Sequence, residues 1–65
     1  MSIGGRIRAL REGRKKSLST LAKRAGISKG LLSSIESGRD SNPCVKTLYK
    51  LARALEVTMA DLFQR

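Results

Sequence analysis

The sequence has no histidine, no tryptophan, a single cysteine and only two aromatic residues, Tyr49 and Phe63. Each shortage removes a class of function. Without histidine, and with a lone thiol, neither the usual zinc sites nor the Ser-His and Cys-His nucleophile pairs can be assembled. One cysteine forms no intrachain disulfide, which suits a reducing compartment. No apolar run approaches the ~20 residues that span a bilayer. The N-terminus, Met1-Ser2-Ile3-Gly4-Gly5-Arg6, lacks the apolar core of a secretory signal. Scarce aromatics also weigh against a basic amphipathic helix lying on a membrane, because such helices anchor through aromatic rings. Acidic residues are short as well, five against fourteen Lys and Arg.

What remains is a net charge of +9 on 65 residues. That length fits one small domain, residues 1–65, which buries only ~60% of its unfolded surface. The charge points to a polyanion, and for a small soluble domain the usual one is nucleic acid. A solubilising surface is the plainer alternative. Apolar residues recur in a regular pattern, so the chain is not a disordered polycation.

The pattern is helical throughout. Ile3, Ile7 and Leu10 recur among Arg6, Arg8, Arg11, Glu12 and Arg14, predicting a helix from about Ile3 to Lys15. Gly4 and Gly5 make its opening loose, since each disfavours helix by ~1 kcal/mol. Ser17 is an N-cap, Leu18, Leu21, Ala22 and Ala25 form the stripe of a second helix, and Gly26 ends it. Ser28 caps a third helix from about Lys29 to Ser37, with Leu32 and Ile35 on one face and Gly38 closing it. Arg39, Asp40, Ser41, Asn42 and Pro43 form a polar loop. Val45, Leu48, Leu51, Ala52 and Leu55 predict a fourth helix. Thr58 with Asp61 is an approximate capping box for a last short helix through Leu62 and Phe63. No segment alternates as a strand does, so the fold class is all-α.

The stretch from Leu18 to Ile35 carries the functional signal. Gly26, Ile27 and Ser28 alone separate two short helices, which forces a steep crossing and direct packing. Ala22 is small where the helices approach. Leu21, Ala25, Ile27, Leu32 and Ile35 are apolar where the pair faces a core. This is the helix-turn-helix pattern.

From Ile3 to Phe63 the chain resembles the phage repressor and Cro type, or XRE, helix-turn-helix family. The resemblance is carried by Ile3-Gly4-Gly5-Arg6-Ile7-Arg8-Ala9-Leu10-Arg11, Leu21-Ala22-Lys23-Arg24-Ala25-Gly26-Ile27-Ser28, Leu32-Ser33-Ser34-Ile35-Glu36 and Leu51-Ala52-Arg53-Ala54-Leu55. It looks closest to SinR-type repressors and to the DNA-binding halves of XRE-cupin regulators. The resemblance implies a five-helix, lambda-repressor-like domain with the helix-turn-helix at helices 2 and 3. It implies binding to double-stranded operator DNA, usually as a homodimer, in a bacterial or phage-type cytoplasm.

Carried onto this sequence, the third helix enters the major groove led by its N-terminal residues. The expected base contacts are Ser28, Lys29, Gly30, Ser33 and Ser34. Lys29 can donate to guanine O6 or N7; the serines discriminate poorly, and Gly30 only permits close approach. DNA shape then supplies much of the specificity. Helix N-termini bind phosphate, so Ser17 and the amide of Leu18 are expected on the backbone, with Ser37 and Arg39 after the recognition helix. Lys15, Lys16 and Lys23 are further backbone candidates, or simply solvated charges. The family pairs an arginine on helix 1 with a glutamate at the end of helix 3, here Arg11 and Glu36, implying a structural salt bridge. Met59 and Phe63 are placed at a dimer interface, or else cap the core.

Three departures from the family bear on stability. Cys44 stands at the usual serine N-cap of helix 4, and thiol is a weak acceptor. Glu56 stands where glycine is frequent, at a position of left-handed geometry. Thr20 replaces the Glu or Gln of a capping box with Ser17. No catalytic residue, metal site, cofactor or small-molecule ligand is evident, and an enzyme is not indicated. The competing reading is a controller or antitoxin-like module that uses the same fold to bind protein.

Overall fold

Serine caps start the first three helices, and glycine ends the second and third. The computed structural model describes residues 2–40 and 42–63; Ser41 of the predicted loop and Arg65, one of the fourteen cations, lie outside the described residues. The helices are α1 (Ile3–Gly13), α2 (Leu18–Ala25), α3 (Lys29–Ser37), α4 (Val45–Leu55) and α5 (Met59–Leu62). The described residues contain no strand, as an all-α chain requires. No helix among them is long and apolar enough to cross a membrane.

Side chains fix the helix starts. Ser2, Ser17 and Ser28 each take an extended backbone and accept a hydrogen bond from the amide three residues on, at 3.1, 3.1 and 3.0 Å. Each satisfies one donor that the first helical turn leaves unpaired. Thr58 and Asp61 form the full capping box, with the Asp61 amide donating to Thr58 Oγ1 and the Thr58 amide donating to Asp61 Oδ2. The Thr58 amide, and then its hydroxyl, hold the Asp61 carboxyl below its ordinary pKa. Cys44 makes no capping bond; its Sγ lies 3.1 Å from Thr47 Oγ1 instead.

Three helix ends close in one way. The amides of Lys16, Ile27 and Val57 donate back to the carbonyls of Arg11, Ala22 and Ala52 at 3.2, 3.0 and 3.0 Å. Each loop turns on one left-handed residue: Lys15 (φ 55°), Gly26 (φ 72°) and Glu56 (φ 60°). Only Gly26 is free of the Cβ penalty at such a position. The expected end of α1 near Lys15 is therefore corrected to Gly13, because the chain already reverses at Lys15. Glu56→Gly should stabilise the domain by ~1 kcal/mol, the left-handed penalty less the backbone entropy that glycine adds. Thermal melting would register this as a rise of ~5 °C; an unchanged or lower midpoint would contradict it.

Ile7, Leu21, Leu32, Ile35, Leu51, Leu55 and Leu62 are fully buried and come from all five helices. α1 packs on α3, α2 lies against both α3 and α4, and α5 rests on α4 and α1. Ala22, nearly buried, supplies the small contact that the helix-turn-helix crossing needs. Val45, the first position of the apolar spacing that predicted α4, is 71% exposed. It precedes Leu48 by nearly one turn, so the apolar spacing runs one step past the end of the core.

Gly4 also departs from expectation. It is buried, and α1 is helical through it. A Cβ there would collide with the Ile35 carbonyl oxygen. Glycine is thus what lets the backbones of α1 and α3 touch, rather than a weak point in α1. Nearby, Arg6 Nε donates to the Asp61 carbonyl at 3.0 Å and ties α1 to α5.

Candidate nucleic-acid interface

The turn between α2 and α3 ends at the α3 N-terminus, and the α2 N-terminus lies at the other end of α2. At the α3 start, Ser28 Oγ takes the Leu31 amide. The Lys29 and Gly30 amides have no intrahelical acceptor, as at any helix start. Ser28, Lys29 and Gly30 are all exposed. Nothing within 4 Å would meet a Cβ on Gly30. Ser33 and Ser34 lie one turn further and are half-buried rather than fully exposed. Leu31 is half-buried against the core.

Ser17 opens α2 in the same manner, and its hydroxyl also donates to Thr20 Oγ1 at 2.8 Å. Thr20 thus takes a local partner even though it cannot complete the reciprocal box. Leu18 is half-buried, Lys15 and Lys23 are exposed, and Lys16 is half-buried. At the far end of α3, the Ser37 hydroxyl donates to the Ser34 carbonyl at 3.2 Å and Arg39 Nε approaches Ser37 Oγ at 3.4 Å. The Asp40 amide donates to the same Ser34 carbonyl at 3.0 Å, folding the following loop against α3.

An open groove of about 180 Å³ brings several of these residues together. Leu18 from α2, Ser33 and Ser37 from α3, and Arg8 from α1 line it, with the Arg11–Glu36 pair among them. Lys23 is not part of the groove. Arg8, which sequence reading did not select, is exposed and bonds Glu12 Oε2 at 3.3 Å. Its signal was its position one turn before Arg11 on α1.

The Arg11–Glu36 pair frames this surface. Arg11 Nε meets Glu36 Oε2 at 2.8 Å and Arg11 Nη2 meets Glu36 Oε1 at 3.0 Å, a two-pronged contact matched to the carboxylate. Arg11 Nη1 donates to the Lys16 carbonyl at 2.8 Å. The side chains are only 13% and 7% exposed. Hydrogen bonding to Glu36 raises the Arg11 pKa above its ordinary value, against desolvation. One guanidinium therefore joins α1, the end of α3 and the turn leading to the α2 N-terminus.

The family model described as helix-turn-helix matches residues 7–62. The chain belongs to that family, the XRE-type helix-turn-helix proteins. It is 42% identical over 60 residues to the HTH-type transcriptional regulator SinR of Bacillus subtilis, covering 92% of this chain and 54% of that protein. The chain thus spans about half the length of the curated relatives it matches. A crystal structure of the biofilm master regulator SinR in complex with DNA is similar at a TM-score of 0.91 and 40% identity, over 95% of this chain and 98% of that one. The restriction-modification controller protein C.AhdI of Aeromonas hydrophila is similar at a TM-score of 0.89 and 33% identity, over 94% and 91%. Within the helix-turn-helix domain, Met59 is half-buried against its own core while Phe63 is 58% exposed.

Proposed function

We propose that this chain is a sequence-specific DNA-binding transcriptional regulator that lays α3 in the major groove and acts as a dimeric repressor on a palindromic operator. The observation that carries the reading is the α2–α3 unit: two serine-capped helix N-termini in one crossing, with exposed Lys29 and Gly30 leading the second helix. In this reading residues 1–65 are one DNA-binding domain. Ser28, Lys29, Gly30, Ser33 and Ser34 face bases, and Ser17, Leu18, Lys15, Lys16, Lys23, Ser37 and Arg39 serve the backbone. The similarity to a regulator crystallised with DNA supports it. The protein is a binder rather than an enzyme, it works on the cytoplasmic nucleoid, and Met59 with Phe63 meet a second copy across a two-fold axis. Sedimentation with and without operator tests that last point; a monomer under both conditions removes it.

Selection of bound sequences from random DNA at two salt concentrations tests the whole. A two-fold symmetric motif is expected, with log affinity falling by ~0.9 per log salt for each neutralised phosphate. The likeness to a SinR structure solved as a complex with the SinI protein keeps a second reading, a controller or antitoxin-like module that binds protein; no enriched sequence at either salt would favour it. Gly30 gives a sharper check. Nothing inside the domain needs glycine there, so Gly30→Ala should raise stability by up to ~1 kcal/mol. If DNA approaches that backbone closely, the same variant loses operator affinity. Unchanged affinity would rule out the close approach.

A further inference from the structure

A second open groove, roomier than the first, lies away from the α3 surface. It lies between the C-terminal halves of α2 and α4, holds about 380 Å³, and is lined by Arg24, Ala25, Lys50, Arg53, Ala54 and Glu56. Ala25 and Ala54 are buried and form a small-residue floor. The three cations are exposed around one carboxylate, and none of them makes an ion pair among the described residues. Arg53 is steadied differently, its guanidinium 5.8 Å from the centre of the Tyr49 ring. That contact orients the guanidinium through the ring face and leaves its N–H edges available.

This groove is separate from the DNA surface. Leu18, in the α1–α3 groove, and Ala25, in this one, sit at opposite ends of α2, ~10 Å apart along its axis. A duplex held by the N-termini of α2 and α3 leaves Arg24, Lys50 and Arg53 unused. Their own helices account for part of their presence, because cations near helix C-termini complement the macrodipole. They do not account for a concave floor of alanines beneath three converging cations.

We propose that the α2–α4 groove docks a short acidic segment of a partner protein. Two guanidinium forks suit carboxylates, which they can grip with paired donors. The alanine floor lets a peptide backbone come close. Glu56 within the ring disfavours a phosphodiester backbone, which is negative along its whole length. A peptide can instead place a neutral or donor group against it. The groove is also short, sized for a few side chains rather than for the track of a duplex. Because it stands apart from α3, docking leaves DNA binding free, and the proposal does not depend on the DNA reading.

Amide NMR shifts of the intact chain, titrated with an octaglutamate peptide in moderate salt, test it. Shifts should concentrate on Arg24, Ala25, Lys50, Arg53, Ala54 and Glu56, and should persist when duplex DNA is bound. The variant R24E/R53E should bind the peptide at least ~10-fold more weakly, since each exposed ion pair is worth a few-fold and reversal adds repulsion. A variant with the same number of reversed charges elsewhere on the exposed surface, R14E/K46E, should bind it within ~3-fold of the parent on the same scale. Shifts confined to α3 would mean a general polyanion response and overturn the proposal. So would equal weakening by R14E/K46E, or a second duplex that saturates the groove in place of the peptide.

Discussion

Glu36→Ala is expected to lower the melting temperature by ~15 °C and to weaken DNA binding in the same variant. The side chain is 7% exposed and both its oxygens are taken by Arg11. Truncation leaves a guanidinium that is 13% exposed with only the exposed Glu12 carboxylate, 4.0 Å away, in place of its two-pronged partner. Stranding one partner of such a pair costs about 3 kcal/mol, much of it the desolvation of the survivor rather than the lost attraction. A 65-residue domain has little more than that in reserve. Replacing both residues by apolar ones, Arg11→Met with Glu36→Leu, should recover most of the stability, because no buried charge is then orphaned. DNA affinity should not recover with it. Arg11 also holds the Lys16 carbonyl, and the double variant leaves the turn ahead of Ser17 without that anchor. Thermal melts and operator titrations on the three proteins separate the two effects. If Glu36→Ala melts with the parent and only affinity falls, the pair orients the surface without supporting the fold.

Where local chemistry decides, the sequence was readable. α2 and α3 begin and end as predicted because Ser17, Gly26, Ser28 and Gly38 each act within a few residues of themselves. Glu56 was legible as a left-handed residue because the helix stripe ends at Leu55 and the family places glycine next. Lys15 was not, because nothing in Arg14-Lys15-Lys16 marks a reversal; the Arg11 bond to Lys16 comes from a side chain four residues before the left-handed residue. Val45 shows that spacing identifies a face but not where the core beneath it stops. The α3 surface was legible in composition, as Ser28, Lys29 and Gly30, and is exposed as expected. The α2–α4 groove, and the groove to which Arg8 contributes, were invisible, since each exists only once separate helices pack; position on α1 was the one trace of Arg8 in the sequence.

Gly4 shows the same limit most plainly, and it carries the other large expected effect. Gly4→Ala should destabilise by about 3 kcal/mol, while Gly13→Ala, about two and a half turns later in the same helix, should stabilise by up to ~1 kcal/mol. On helix propensity alone both would stabilise. They differ in what the new methyl meets. At Gly13 there is nothing within 4 Å. At Gly4 it runs into the Ile35 carbonyl oxygen, with Ile35 C and Glu36 Cα close behind. All three are backbone atoms, so no rotamer change relieves the contact and α1 must move off α3. That movement also pulls Arg11 from Glu36, because the pair bridges the same two helices. Combining Gly4→Ala with Glu36→Ala should therefore cost less than the sum of the two, as expected for sites that loosen one seam. Denaturant melts of the four proteins measure each term. Strict additivity would place the two effects in independent parts of the α1–α3 contact. A neutral or stabilising Gly4→Ala would mean that the helices are not held at backbone contact.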